Sequence, residues 1–105
     1  MSSFRLKLIL SEDAIGIAVD KNYSNTFRPV TGYYFWPVSN AWEQLKIDLD
    51  SKIWINSEEK ISILNMVSDI LNNWQDCLNR NLNFSFDSEN QSRNLSIKVC
   101  SANFL

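Results

Sequence analysis

Apolar and polar positions alternate in the first part of the chain, as half-buried β-strands require. Residues 4–10 place their apolar side chains on one face and Arg5 and Lys7 on the other, which predicts a strand. Residues 15–19 predict a second strand, antiparallel to the first across a short polar break. Gly16, inside this second strand, indicates a bulge or a close approach of another group.

An aromatic run follows a long polar stretch. Residues 20–29 are predicted to form a polar loop, and residues 31–36 to form a third strand because aromatic side chains favour strands. Pro37 ends this strand, since proline cannot donate to a β-ladder. Alternate aromatics point to opposite faces, so one of the pairs Tyr33/Phe35 and Tyr34/Trp36 is a candidate for exposure. The four tryptophans are predicted to pack between the sheet and the helices: Trp36, Trp42, Trp54 and Trp74.

Two helices follow the aromatic run. Asn40 is predicted to cap the first helix, with Glu43 as the acidic half of a capping box, and this helix should end near residue 51. Ser57 is predicted to cap the second helix. Apolar residues at three- and four-residue spacing carry that helix to about residue 79.

The fold predicted from these elements is α+β. It has a small antiparallel sheet, of about three N-terminal strands, packed on two helices. Alternation returns at residues 82–86 and 95–99, which predicts extra C-terminal strands as a hairpin or as two edge strands. We expect one domain over residues 1–80 and a C-terminal extension over residues 81–105 whose structure the sequence does not assign.

Several kinds of chemistry are excluded by composition. The chain has no histidine, so nucleophilic sites that use a histidine base cannot form. Its two glycines cannot build a phosphate-cradling loop, and its two cysteines, Cys77 and Cys100, fit no zinc pattern. Reduced thiols are favoured over a disulfide. The adjacent carboxylates lie at a turn and at a helix start, where acids are structurally expected. We therefore predict no enzyme activity, cofactor, metal or small-molecule substrate.

The charge distribution limits the kinds of partner that the chain can bind. A net charge of −2 and a pI of about 5.0 exclude strong nucleic-acid binding through bulk charge. Residues 1–37 carry one net positive charge, whereas residues 38–80 carry three net negative charges. The N-terminal part is therefore the candidate to face phosphate, the alternative being a simply solvated mixed surface. No apolar stretch predicts a membrane segment. The candidate phosphate contacts are Arg5, Lys7, Lys21 and Arg28.

Short motifs between residues 4 and 75 carry a resemblance to a known family. The most specific block is Phe35-Trp36-Pro37 followed by Ala41-Trp42-Glu43. Other motifs occur in the same order, among them Ile17-Ala18-Val19-Asp20, Lys52-x-Trp54-Ile55 and Asn73-Trp74-Gln75. Together they resemble the plastid-specific ribosomal protein three family of plastids and cyanobacteria.

This resemblance implies a non-catalytic, structural constituent of the small (30S) ribosomal subunit that supports translation. The implied partners are ribosomal RNA and other small-subunit ribosomal proteins. The implied location is the plastid (chloroplast) stroma, or the cytoplasm if the chain is cyanobacterial. The alternative function is a protein-interaction module outside the ribosome, acting in assembly or regulation.

Overall fold

A five-stranded sheet and two helices make up the part of the chain that the computed structural model describes, which is residues 4–11 and 13–80 and the backbone of residues 95–101. In chain order these elements are β1 (Phe4–Leu10), β2 (Ile15–Tyr23), β3 (Thr26–Pro29), β4 (Tyr34–Trp36), α1 (Ala41–Asp50), α2 (Ser57–Asn79) and β5 (Leu95–Ser101). The predicted α+β class is confirmed, with four N-terminal strands where about three were expected.

The long strand β2 organises the sheet. It pairs antiparallel with β1 on one side, as predicted, and on the other side with β3 along one half and β4 along the other. Thr31 joins the two halves. Its Oγ1 accepts from the Val19 N–H at 3.1 Å, and the Val19 carbonyl accepts from the N–H groups of Val30 and Thr31. The backbone of β2 therefore stays hydrogen-bonded where its partner changes.

The loop predicted over residues 20–29 is wrong, because most of that segment forms the β2–β3 hairpin. Asp20 pairs with Pro29 and Tyr23 with Thr26. The two residues between the strands, Ser24 and Asn25, have φ values of 46° and 70°. Positive φ at both central positions is typical of the two-residue hairpin turn that matches strand twist. The polar composition concealed the strand because β3 is exposed along its length and needs no apolar face.

The core lies between one face of the sheet and the two helices. Helices α1 and α2 are present as predicted. Asn40 caps α1 by accepting from the Glu43 N–H at 3.1 Å, but the Glu43 carboxylate accepts no bond from the Asn40 N–H in this described segment, so only half of the predicted capping box forms. The cap predicted at Ser57 is displaced by one residue. Asn56 caps α2 in a full capping box: its side chain accepts from the Glu59 N–H, and the Asn56 N–H donates to the Glu59 carboxylate.

Two side-chain hydrogen bonds tie α1 to its neighbours. Trp42 Nε1–H donates to the Leu64 carbonyl of α2 at 3.2 Å, and the Tyr34 hydroxyl donates to Asp48 at 2.9 Å. The hydrogen bond to Asp48, with burial and the negative charge, raises the pKa of Tyr34. Burial pushes the pKa of Asp48 upward, but the hydrogen bonds from Lys52 and Tyr34 outweigh it and leave this pKa below its usual value.

The C-terminal strand β5 runs parallel to β1 and forms the sheet edge beyond it, giving the order β3-β2-β1-β5. A strand was predicted at residues 95–99, and it is present. The strand predicted at residues 82–86 lies outside the described residues. The division into a domain over residues 1–80 and an extension over residues 81–105 stays a prediction, although β5 belongs to the same sheet.

Candidate nucleic-acid interface

The four basic residues singled out in the sequence lie on opposite faces of the sheet. Arg5 pairs with Asp20 across β1 and β2, on the face that points away from the helices. Lys7 shares that face because it lies two residues further along β1. Lys21 instead pairs with Phe4, whose side chain is in the core, and with Arg28 of β3. The fold therefore divides the candidates into two pairs rather than one patch.

The first pair forms what we term the Asp20 cluster, made of Arg5, Lys7 and Asp20. Arg5 donates to Asp20 Oδ2 at 3.2 Å, and Lys7 Nζ lies 3.1 Å from Oδ1 in an ion pair without hydrogen-bond alignment. The Asp20 side chain is only 4% exposed. The Arg5 guanidinium also lies 3.7 Å from the Phe27 ring centroid, and Lys7 lies over Tyr33. The cluster leaves one net positive charge, held in place by a buried acid.

The same face is closed next to the cluster by aromatic packing against Gly16. A Cβ at this position would lie 2.5 Å from a ring carbon of Phe35, so the ring occupies the space that any side chain would need. This confirms the close approach that the glycine indicated. Tyr33 lies beside Phe35, with ring centroids 6.4 Å apart. The pair Tyr33/Phe35 therefore covers the strand and is half-buried, while Tyr34 and Trp36 pack against the core.

The second pair belongs to what we term the cation–aromatic rim, made of Lys21, Tyr23, Arg28 and Trp54. Lys21 Nζ lies 5.4 Å from the Tyr23 ring centroid and 5.7 Å from that of Trp54, and the Phe4 ring lies below it at 5.1 Å. Arg28 lies 5.5 Å from the Tyr23 ring. Within the described part of the chain, neither cation pairs with a carboxylate.

The rim combines two properties that single-stranded nucleic acid uses. Cations over aromatic rings keep their N–H groups available to phosphate oxygens when no carboxylate occupies them. Exposed rings offer a flat surface on which a base can stack. Tyr23 and Trp54 are 43% and 50% exposed. The prediction that Trp54 packs in the core is therefore wrong, whereas Trp74 is buried and Trp36 and Trp42 are half-buried against the core.

Other kinds of site are not supported by the described residues. No group of His, Cys, Asp or Glu side chains there could hold a metal ion, and Cys77 is a free, half-buried thiol. Neither of the two described helices has an apolar stretch of bilayer-spanning length. An open groove of about 360 Å³ lies between β4 and α1, but Tyr34 and Lys52 already occupy the carboxylate of Asp48 there.

Comparison with known proteins gives the chain its family. The sequence profile of the family described as plastid and cyanobacterial ribosomal protein (PSRP-3 / Ycf65) matches residues 30–77. The chain is 49% identical over 76 residues to small ribosomal subunit protein cS23 of Gracilaria tenuistipitata var. liui, a match that covers 72% of this chain and 77% of the relative. It is 44% identical over 75 residues to the probable cS23 of Synechococcus sp. (strain JA-3-3Ab), covering 71% and 76% of the two chains. The cS23 of Euglena viridis is 40% identical over 76 residues, covering 72% and 75%. The chain therefore belongs to the plastid and cyanobacterial ribosomal protein family, PSRP-3 / Ycf65.

Proposed function

We propose that this protein is a structural constituent of the small ribosomal subunit and that its cation–aromatic rim contacts ribosomal RNA. The subunit follows from the family, whose curated relatives are named small ribosomal subunit protein cS23. Ribosomal RNA and other small-subunit proteins are its partners in that particle. Its location is the plastid ribosome, or the ribosome in the cytoplasm of a cyanobacterium. Membership of a ribosomal protein family makes it a structural component rather than an enzyme.

The observation that carries the RNA contact is the lack of a carboxylate partner for Lys21 and Arg28 among the described residues. A phosphate can pair with these cations without displacing an internal acid, so little of the interaction energy is lost to rearrangement. Arg5 and Lys7 stay in the proposal as supplementary contacts. Arg5 and Lys7 both pair with Asp20, so these three groups together would offer a phosphate only one net positive charge.

The acidic balance of the chain fits this orientation. The segment from α1 to Arg80 carries seven acidic and four basic side chains, whereas the rim carries two cations and no acid. RNA phosphates would repel the acidic helical side and attract the rim. The protein would therefore bind with its rim facing RNA. The acidic helical side would then be free to meet basic ribosomal proteins. An acidic chain can in this way join a ribonucleoprotein through a local patch.

Sedimentation of cell extract through a sucrose gradient tests the function. We expect the protein to travel with small subunits at about one copy per particle. The double variant Lys21→Gln/Arg28→Gln should leave the subunits at lower salt than the natural protein, because each phosphate contact adds to the salt dependence of binding. The matched control is Lys46→Gln/Arg80→Gln, which removes one positive charge from α1 and one from the residue that follows α2.

The outcomes separate the parts of the proposal. A protein that never travels with small subunits at low salt would contradict the subunit role. Equal salt release for the rim variant and its control would contradict the rim as the RNA contact. Association with immature particles alone, well below one copy each, would favour the assembly or regulatory module.

A further inference from the structure

The turn between α1 and α2 exposes two large apolar side chains in succession. The Ile55 N–H donates to the Lys52 carbonyl at 3.1 Å, so Ile53 and Trp54 are the two central residues of the turn. Ile53 is 95% exposed and Trp54 is 50% exposed. The next residue, Ile55, is buried. The chain therefore anchors this turn in the core and presents the two residues before the anchor to solvent.

The turn is held on both sides. Before it, the Lys52 N–H donates to the Leu49 carbonyl, and Lys52 Nζ donates to Asp48 at 2.8 Å. After it, the capping box of Asn56 and Glu59 fixes the start of α2. A ligand that packs on such a turn pays little for ordering the loop, because the backbone is already held in place.

The residue types do not serve the turn itself. Central turn positions favour glycine, asparagine, aspartate, serine and proline, each of which helps the backbone bend. Isoleucine and tryptophan help neither the bend nor, at this exposure, the core. Sequences depart from local rules without a structural gain chiefly at functional sites. The exposed ring of Trp54 is therefore better explained by a ligand than by folding.

We propose that Trp54 stacks on an unpaired base of ribosomal RNA while Lys21 and Arg28 contact the phosphates beside it, an inference that rests on the proposed RNA contact of the rim. The Lys21 ammonium lies close to the rings of both Trp54 and Tyr23. One nucleotide could therefore stack its base on Trp54 and place its phosphate near Lys21. A protein pocket that accepted Trp54 would also have to bury Lys21 and Arg28, which have no acidic partner in the described part of the chain, and burying unpaired cations is unfavourable. The rim therefore favours a nucleotide over an apolar protein pocket.

Binding of the full chain to a short single-stranded RNA, at low salt, tests the stacking. Trp54→Ala should weaken binding by about tenfold, within the range for loss of one base–aromatic stack. Trp54→Phe should restore most of the affinity because it keeps a ring. Ile53→Ala is the matched control and should bind like the natural protein, since it removes exposed apolar area from the same turn without removing a ring. Unfolding midpoints of all three variants should stay close to that of the natural protein.

Two further measurements separate stacking from phosphate pairing. Lys21→Gln/Arg28→Gln should reduce the dependence of affinity on salt, whereas Trp54→Ala should leave it unchanged. A matched RNA duplex, which offers no unpaired base, should bind the natural protein and Trp54→Ala equally. In assembled small subunits, Trp54→Ala should make at least one rRNA base more reactive to a base-methylating reagent.

Contrary results distinguish this inference from the proposed function. If Trp54→Ala binds single strands like the natural protein while the rim double variant is weakened, stacking is overturned and the rim contact stands. If neither variant changes binding to the single strand, stacking is overturned. The proposed RNA contact of the rim is then judged separately, from the salt concentration at which the rim double variant dissociates from small subunits. If the Trp54→Ala protein dissociates from the subunits more readily but no rRNA base becomes more reactive to the methylating reagent, Trp54 contacts a protein and the inference is wrong.

Discussion

The Asp20 cluster and the cation–aromatic rim use nearly the same side chains for different ends. Each has one lysine and one arginine, and each sets these cations over aromatic rings. The difference is one carboxylate. Asp20 lies between Arg5 and Lys7 with its side chain almost fully buried, whereas no described carboxylate pairs with Lys21 or Arg28. The acid makes the first pair part of the structure, whereas the second pair, with no acid beside it among the described residues, is the one we propose for phosphate contact.

This contrast has an energetic basis. A buried carboxylate is costly without a counter-charge, so the ion pairs with Arg5 and Lys7 are required to stabilise Asp20 in the fold. Using these cations on RNA would require weakening that internal pairing. The cations of the rim make cation–π contacts worth about 0.5–1 kcal/mol at exposed sites, which they can keep while a phosphate approaches.

Replacing Asp20 by alanine should have the largest effect on stability. It leaves two cations beside one another, one-fifth exposed, with no acid between them. We expect the free energy of unfolding to fall by about 3 kcal/mol, as when one partner of a buried ion pair is removed. Urea denaturation measures this, with Asp69→Ala on the exposed face of α2 as the control. A loss no larger than that of the control would mean that Asp20 is not the structural centre of its cluster.

Gly16→Ala tests whether the face of the Asp20 cluster is closed by packing. The added methyl group would meet the Phe35 ring at 2.5 Å, so the ring must move. We expect a loss of about 2 kcal/mol, typical of overpacking. In a double-mutant cycle, Gly16→Ala should cost much less stability in the Phe35→Ala background than in the natural protein. An additive cycle would show that the ring does not limit the space above Gly16.

Tyr34→Phe tests a tie on the helical side of the sheet, away from both cation pairs. Loss of the hydrogen bond to Asp48 should reduce the free energy of unfolding by about 1 kcal/mol near neutral pH. The folded pKa of Asp48 is lowered, so its contribution is fully present above the ordinary pKa of about 4 and is lost as the pH falls below that value through the lower folded pKa. The folded pKa of Tyr34 is raised, so its contribution is fully present below the ordinary pKa of about 10 and is lost as the pH rises above that value through the higher folded pKa.

The difference between Tyr34→Phe and the natural protein should therefore shrink in acid and in strong alkali. Unfolding curves collected across that pH range measure it, and Asp48→Asn should remove most of the acid dependence. A difference that stays constant with pH would mean that the hydroxyl–carboxylate bond does not contribute.

Lys21→Gln/Arg28→Gln should change stability least. The two side chains are partly or fully exposed and have no acid to leave unpaired among the described residues, so we expect a loss below about 1 kcal/mol. The same variant should change RNA binding most, which reverses the order of effects found for Asp20. A large loss of stability would show that the rim, like the Asp20 cluster, is structural.

Local sequence signals predicted much of the fold. The alternation in β1, the apolar spacing of α2 and the cap at Asn40 depend on neighbours within a few residues, so they could be recognised directly. The β2–β3 hairpin was missed because an exposed edge strand carries no apolar pattern. The motif order identified the family without any structure.

At the candidate site, the four cations and the shared strand face of Arg5 and Lys7 could be recognised from the pattern of residues alone. Which pair of cations is held by an acid depends instead on contacts that form only when the chain folds. Strand pairing sets Asp20 opposite Arg5, and the packing of the α1–α2 turn brings Trp54 to Lys21. A cation's availability depends on the charge and rings a few ångströms away, and those neighbours come from distant parts of the chain that only folding brings together.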